Sequence, residues 1–232
     1  ALNAWNHVII SIDLSNATNR NIYINDTLDA TPWGTYTNDN INFTDTIHRI
    51  HADYNGSIGN KCRLSNLFLD YTYRDLSIEA NRRLFITADG KPADGLASLS
   101  PILYLPMTDA ATAHINEGTG GNFVQNGTLA TADRGANQDN CVASEFDGVD
   151  DYLGRSLSLG NIQTATVSFI YKVRVNSWEF FMDIKSGAQS GFYVYAHGNG
   201  LLYIVFRDSS GSNVFSYYQG SDFVTNKLIH IA

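Results

Sequence analysis

Short apolar runs separated by turn-forming residues constrain the fold of this chain more than any other feature. They read ATVSFIYKV (165–173), WEFFMDI (178–184), GFYVY (191–195), LLYIVF (201–206), VFSYY (214–218) and LIHIA (228–232). HGNG at His197 and DSSGSN at Asp208 punctuate them. Runs of this length, rich in aromatic and β-branched residues and bounded by Gly, Asn and Ser, read as strands. Many in succession predict an antiparallel sandwich. The 13 Tyr and 12 Phe against 2 Met agree, because aromatic side chains pack well on a pleated surface. At 232 residues the chain can bury a substantial core.

The first third carries the same signals. Val8, Ile10 and Ile12 alternate with Ile9, Ser11 and Asp13, predicting a mostly buried strand that turns to solvent at its end. NIYIND (21–26) follows, and its terminal Asn-Asp predicts a hairpin. Two more strands are expected at 48–54 and 63–73. In the second, Leu64, Leu67, Leu69, Tyr71 and Tyr73 form an apolar series with one slip, the mark of a bulge. One short helix is expected over SIEANRRLF (77–85), capped by Ser77, with Leu76, Ala80 and Leu84 on its docked face. ADGKPADGLASLSP (88–101) has the composition of a linker, and ILYLPM (102–107) opens a new strand set. The passage from 116 to 140 is polar and rich in Gly and Asn.

Charge and hydropathy exclude several function classes. A formal charge of −8 and a pI near 5.0 repel phosphate backbones and argue against nucleic acid. No apolar run approaches the roughly 20 residues of a membrane span. ALNAWNHV at the start has neither the basic opening nor the apolar core of a signal peptide, so any export signal is expected upstream. There is no GxSxG, P-loop or GxGxxG, and the six histidines show no zinc spacing.

Three stretches resemble the laminin-G-like, or concanavalin-A-like, jelly-roll superfamily. EFDGVDDYL (145–153) is similar to its early strand and turn, and SFIYKVRVNSW (168–178) to the long strand after that. WNHVIISIDLSNATNRNIYIND (5–26) is similar to the W-x-H-V strand and hairpin of its second half. The order is inverted, because the early motif lies past the middle of the chain. The resemblance therefore implies a second half at 1–87 with a closing helix, a linker at 88–101, and a first half at 102–232. Two explanations fit: a circular permutant whose halves close into one sandwich, or a segment of a tandem chain completed by neighbours. RDLSIEANRRLFITADGKPADG (74–95) resembles the connection between modules in such proteins of bacteriophages and marine bacteria.

Candidate sites follow from residue chemistry and from that resemblance. Asp147, Asp150 and Asp151 gather carboxylates on one turn, as a calcium ion requires, and the same residues also suit a plain tight turn. Tyr193, Tyr195, His197, Tyr203 and Arg207 fall on adjacent strands and their turns. They offer a glycan platform or ordinary sandwich packing. Laminarinase-type glucanases of this fold carry E-x-D-x-x-E, where this chain has Glu145, Asp147 and Asp150. The final Asp is shorter, and Gly148 interrupts the alternation that would aim all three into one cleft. The strands beside Cys62 and Cys141 are neighbours in the resembled fold, which allows a disulfide as well as two buried thiols. The expectation is a non-enzymatic module of an extracellular or virion surface. It would bind a glycan, with calcium as the one cofactor considered and self-association or neighbouring subunits as further partners.

Overall fold

The computed structural model describes residues 5–30, 34–44, 46–53, 56, 61–132, 143–156, 160–173, 179–184, 191–196 and 202–218. In chain order the strands are β1 (Asn6–Asp13), β2 (Arg20–Ile24), β3 (Thr27–Leu28), β4 (Thr35–Tyr36), β5 (Ile41–Phe43) and β6 (Ile47–Ile50). Next come β7 (Cys62–Asp70), β8 (Leu103–Leu105), β9 (Val124–Asn126), β10 (Ala130–Ala132), β11 (Ala143–Phe146) and β12 (Tyr152–Ser156). The last are β13 (Gly160–Ile162), β14 (Thr164–Val173), β15 (Glu179–Ile184), β16 (Gly191–Ala196), β17 (Leu202–Arg207) and β18 (Asn213–Tyr218). One short helix, α1 (Glu79–Arg82), lies between β7 and β8.

The fold is an all-β sandwich of two large antiparallel sheets. One runs β10-β11-β7-β14-β1-β2-β3, with β8 also on β7. The other runs β4-β18-β17-β16-β15-β6-β12-β9, and β13 and β5 form a separate pair. Both sheets mix strands from 1–87 with strands from 102–232. The join is extensive: β1 lies along β14 from Asn6↔Tyr171 to Asp13↔Thr164, and β14 also pairs β7. Between the sheets Val8, Ile10, Ile12, Leu64, Leu69 and Phe169 meet Phe192, Val194, Ile204 and Phe206 in one fully buried core.

The two sheets differ on their outer faces. Ile9, Tyr23, Phe68 and Tyr104 point away from the main core and form a second cluster with Leu76, Phe85, Ile86 and Leu96. The segment from 76 to 99 therefore lies over the first sheet, which explains why β1 is buried on both sides. The stretch 88–101, whose composition reads as a linker, belongs to this cover through Leu96 and a 3₁₀ turn at Leu96–Leu99.

Several local expectations hold. The hairpin after β2 turns at Asn25 and Asp26, both with positive φ (50° and 62°), as a two-residue turn of matching twist requires. The slip in β7 is a bulge: Ser65 faces Ile170 and Phe68 faces Ser168, so Asn66 and Leu67 together oppose Phe169. Asn66 takes the left-handed conformation (φ 50°), and its N–H leaves the ladder for the Pro106 carbonyl at 3.1 Å.

The helix differs from expectation. It is one turn long, Ala80 is exposed, and Leu84 is 36% exposed, while Leu76, Phe85 and Ile86 carry the burial. Ser77 caps nothing; its N–H and hydroxyl both donate to Asp75. Charge docks the turn instead. Arg82 and Arg83 pair with Asp26 at 2.7 and 2.8 Å, and Arg82 lies 4.6 Å over the Tyr23 ring. The polar passage from 116 to 140 also contributes two strands, β9 and β10, that its composition did not announce. No helix among the described residues is long and apolar enough to cross a membrane.

Candidate functional site

The outer face of the second sheet is built by alternation. On β16, Phe192 and Val194 enter the core and Tyr193 and Tyr195 face outward. On β17, Leu202, Ile204 and Phe206 go inward, which leaves Tyr203, Val205 and Arg207 on the outer face, with Val205 buried there. Register then aligns Tyr195 with Tyr203 and Tyr203 with Tyr218 across three neighbouring strands. The Tyr195 and Tyr203 rings stack, with centres 5.0 Å apart and planes 12° apart. Tyr218 meets Tyr203 edge-on at 4.8 Å, and Tyr193 lies 5.6 Å from Tyr195. The result is a tyrosine ladder about three strands wide, or roughly 10 Å between its outer strands.

Charged groups border the ladder. The Arg207 guanidinium sits 5.1 Å over the Tyr193 ring, and its Nε donates to Asn213 Oδ1 at 3.0 Å. Asp183 lies across from Tyr193 on β15 and from Arg49 on β6, so all three share this face. Arg49 in turn reaches over Tyr152 at 5.7 Å. Burial pushes the Tyr195 hydroxyl up to about 12, and the neighbouring Tyr193 and Tyr203 add to it. Tyr193 is raised by burial too. Both hydroxyls stay protonated at neutral pH and can donate and accept. At the edge, Gly34 carries no side chain, and a Cβ there would come within 2.8 Å of the Tyr218 ring. Glycine lets β4 close against the last rung.

Of the expected platform, Tyr193, Tyr195, Tyr203 and Arg207 come together, and His197 lies outside the described residues. Tyr218, Arg49 and Tyr152 were missed. Tyr218 was legible as the last residue of the strand-like run NVFSYY, one strand beyond Tyr203. Arg49 and Tyr152 depend on β15 pairing with β6, which no local pattern reveals.

The acidic turn joins β11 to β12. Carboxylate oxygens of Asp147, Asp150 and Asp151 lie within 4.8 Å of one another. Asp147 and Asp150 are exposed, while Asp151 is fully buried. The Asp147 N–H donates to Asp151 Oδ2 at 2.9 Å, and the Val149 N–H to Asp147 Oδ1 at 2.7 Å. Gly148 supplies the positive φ (80°) that the turn needs. Burial holds the Asp151 carboxyl above the usual range. The Asp147 and Thr128 amides oppose this, and the charges of Asp147 and Asp150 reinforce it.

Glu145 belongs to a different surface. It projects from β11 toward Arg63 on β7, pairing with Arg63 at 2.7 Å and Lys61 at 2.6 Å. Burial works against its charge, but the bonds and charges of Lys61 and Arg63 prevail and hold it at about 2. The carboxylates of the Glu145, Asp147 and Asp150 frame are thus split between an ion-paired strand and an exposed turn. Cys62 is buried, with its sulfur 3.2 Å from His51 Nδ1, and Cys141 lies outside the described residues.

No protein-family model matches this chain, and neither a curated protein nor a solved structure matches it significantly.

Proposed function

We propose that this chain is a non-enzymatic jelly-roll module of the laminin-G-like type, carried on an extracellular or virion surface. Its task is to recognise a glycan on the outer face of the second sheet. The observation that carries the reading is the ladder of Tyr195, Tyr203 and Tyr218, with Tyr193 and Arg207 beside it. Tyr195 and Tyr203 held nearly parallel on adjacent strands, with Tyr218 edge-on beside them, offer rigid apolar surface for sugar C–H groups at low entropic cost. Protonated hydroxyls and the Arg207 fork supply bonds for sugar hydroxyls. A glucanase reading is weaker, because Glu145 is ion-paired to Arg63 and Lys61 on its strand while Asp147 and Asp150 stand on the exposed turn, so the frame does not aim its carboxylates into one cleft.

A glycan array followed by titration tests this reading. Wild type should bind a defined set of glycans, and Tyr203→Ala should weaken binding by about tenfold, equivalent to about 1.4 kcal/mol. Absence of binding across the array, or full binding by Tyr203→Ala, would count against it.

A further inference from the structure

We propose that Arg155, near the end of β12 and between the two sheets, is a binding site for a carboxylate-bearing small molecule. The site lies on the inner face of the second sheet, opposite the tyrosine ladder, and does not depend on the glycan reading. Alternation places it there. Leu153 enters the core across from Ile50, so Arg155, two residues on, points the same way across from His48. Phe123 closes the core at this end, with the Arg155 guanidinium 4.5 Å over its ring.

The guanidinium is held in place but not neutralised. Its Nε donates to His48 Nδ1 at 3.1 Å, and its Nη1 to the Gly120 and Gly121 carbonyls at 2.8 and 3.2 Å. These acceptors are uncharged, since a His48 that accepts at Nδ1 carries its proton on Nε2. Nη2 is buried and has no hydrogen-bond partner. The salt bridges of the described residues include none to Arg155. The Tyr71 hydroxyl would favour the cation if it ionised, but burial raises its pKa and keeps it neutral. Burial lowers Arg155 itself to about 10, the direction of a cation withdrawn from water without a counter-charge. A charge so placed is costly, and the unpaired donor adds to the cost. A carboxylate relieves both, because its two oxygens match the parallel N–H groups of Nη1 and Nη2. The approach runs past Gly121. That residue is exposed, and beyond its chain neighbours no atom lies within 4 Å of where its Cβ would stand. An entering carboxylate displaces only the longer Nη1 contact, and the freed Gly121 carbonyl turns to water.

The full chain titrated with sodium acetate and with sodium glucuronate, read by thermal unfolding and calorimetry, tests the site. NaCl at matched ionic strength and glucose serve as controls. Wild type should show a saturable rise in Tm with one carboxylate or both. Equal response to the two identifies a free organic acid as the ligand, and a preference of about tenfold for glucuronate identifies an acidic sugar; either supports the site. Arg155→Gln should bind at least tenfold more weakly. Arg155→Lys keeps the charge without the fork and should fall between the two. No saturable shift in wild type with either carboxylate would overturn the proposal. An equal shift in Arg155→Gln, or one that NaCl or glucose reproduces, would overturn it as well. If Arg155→Gln does not fold, undiminished binding by Arg155→Lys has the same force.

Discussion

His7 is held neutral by its place in the wall of the first sheet. Its Nε2 lies 2.8 Å from Ser168 Oγ, and burial drives its pKa from 6.5 to about 3, against a small opposing pull from the Asp26 charge. The unfolded chain therefore takes up this proton first as pH falls. Stability from His7 is complete above about pH 6.5 and declines as pH drops toward 3. At 1.36 kcal/mol per unit, acidification from pH 7 to 4 should cost about 3 kcal/mol through this residue alone. Urea denaturation at pH 7, 5.5 and 4 checks it, and His7→Gln should flatten the slope. Glu145 works in the same direction in a lower window. Its folded pKa of about 2 lies below the ordinary 4.5, so its contribution is present above 4.5 and is lost toward 2. A loss already visible at pH 5.5 lies above the window of Glu145, and the part of it that His7→Gln removes belongs to His7.

At the scale of elements, the bulge in β7 shows how well a strand reads from its sequence. The slip from Leu64 to Leu67 was visible because period two allows no other way to keep both residues on the core face. Asn66 is suited to its left-handed backbone, so Asn66→Gly should be nearly neutral and Asn66→Val should cost about 1–2 kcal/mol in chemical denaturation. Deleting Asn66 should also be tolerated, because Leu64, Leu67 and Leu69 then alternate without a slip while Ser65 still faces Ile170 and Phe68 still faces Ser168; circular dichroism should show the sheet retained. The helix was read poorly for a related reason. A period of 3.6 identifies a face only over several turns, and α1 has one. Its anchors, Arg82 and Arg83 on Asp26, join residues far apart in sequence, which no periodic pattern records.

For the whole molecule, the difference between the sheets matters most. The first is covered on both faces by its own chain, and the second presents tyrosines on its outer face. Phe85 seats the cover against Phe68, ring centres 5.1 Å apart, so Phe85→Ala should cost about 3–5 kcal/mol. Leu84→Ala, one residue away and 36% exposed, should stay within about 0.5 kcal/mol in the same unfolding experiment. The all-β architecture and the inward-outward sorting of the tyrosines were legible, since both rest on alternation within one strand. Which sheet the 76–99 segment covers was not, because its Gly, Pro and Ser content records only the shape of a loop. The remaining members of the site, Arg49 and Tyr152, await the β15–β6 pairing before they meet the ladder at all.

The long seam between β1 and β14 also sets a timetable for synthesis. The strand at Asn6–Asp13 leaves the ribosome long before Thr164–Val173, apolar on both sides, and of its two neighbours only β2 follows it closely. Its other edge must wait for Thr164–Val173, and β7 waits for the same strand. Until that decapeptide emerges, two apolar strands present open edges in the growing chain, the condition under which nascent β proteins aggregate or recruit chaperones. Folding is thus held back to a late, nearly simultaneous closure, with β14 as the strand that starts it.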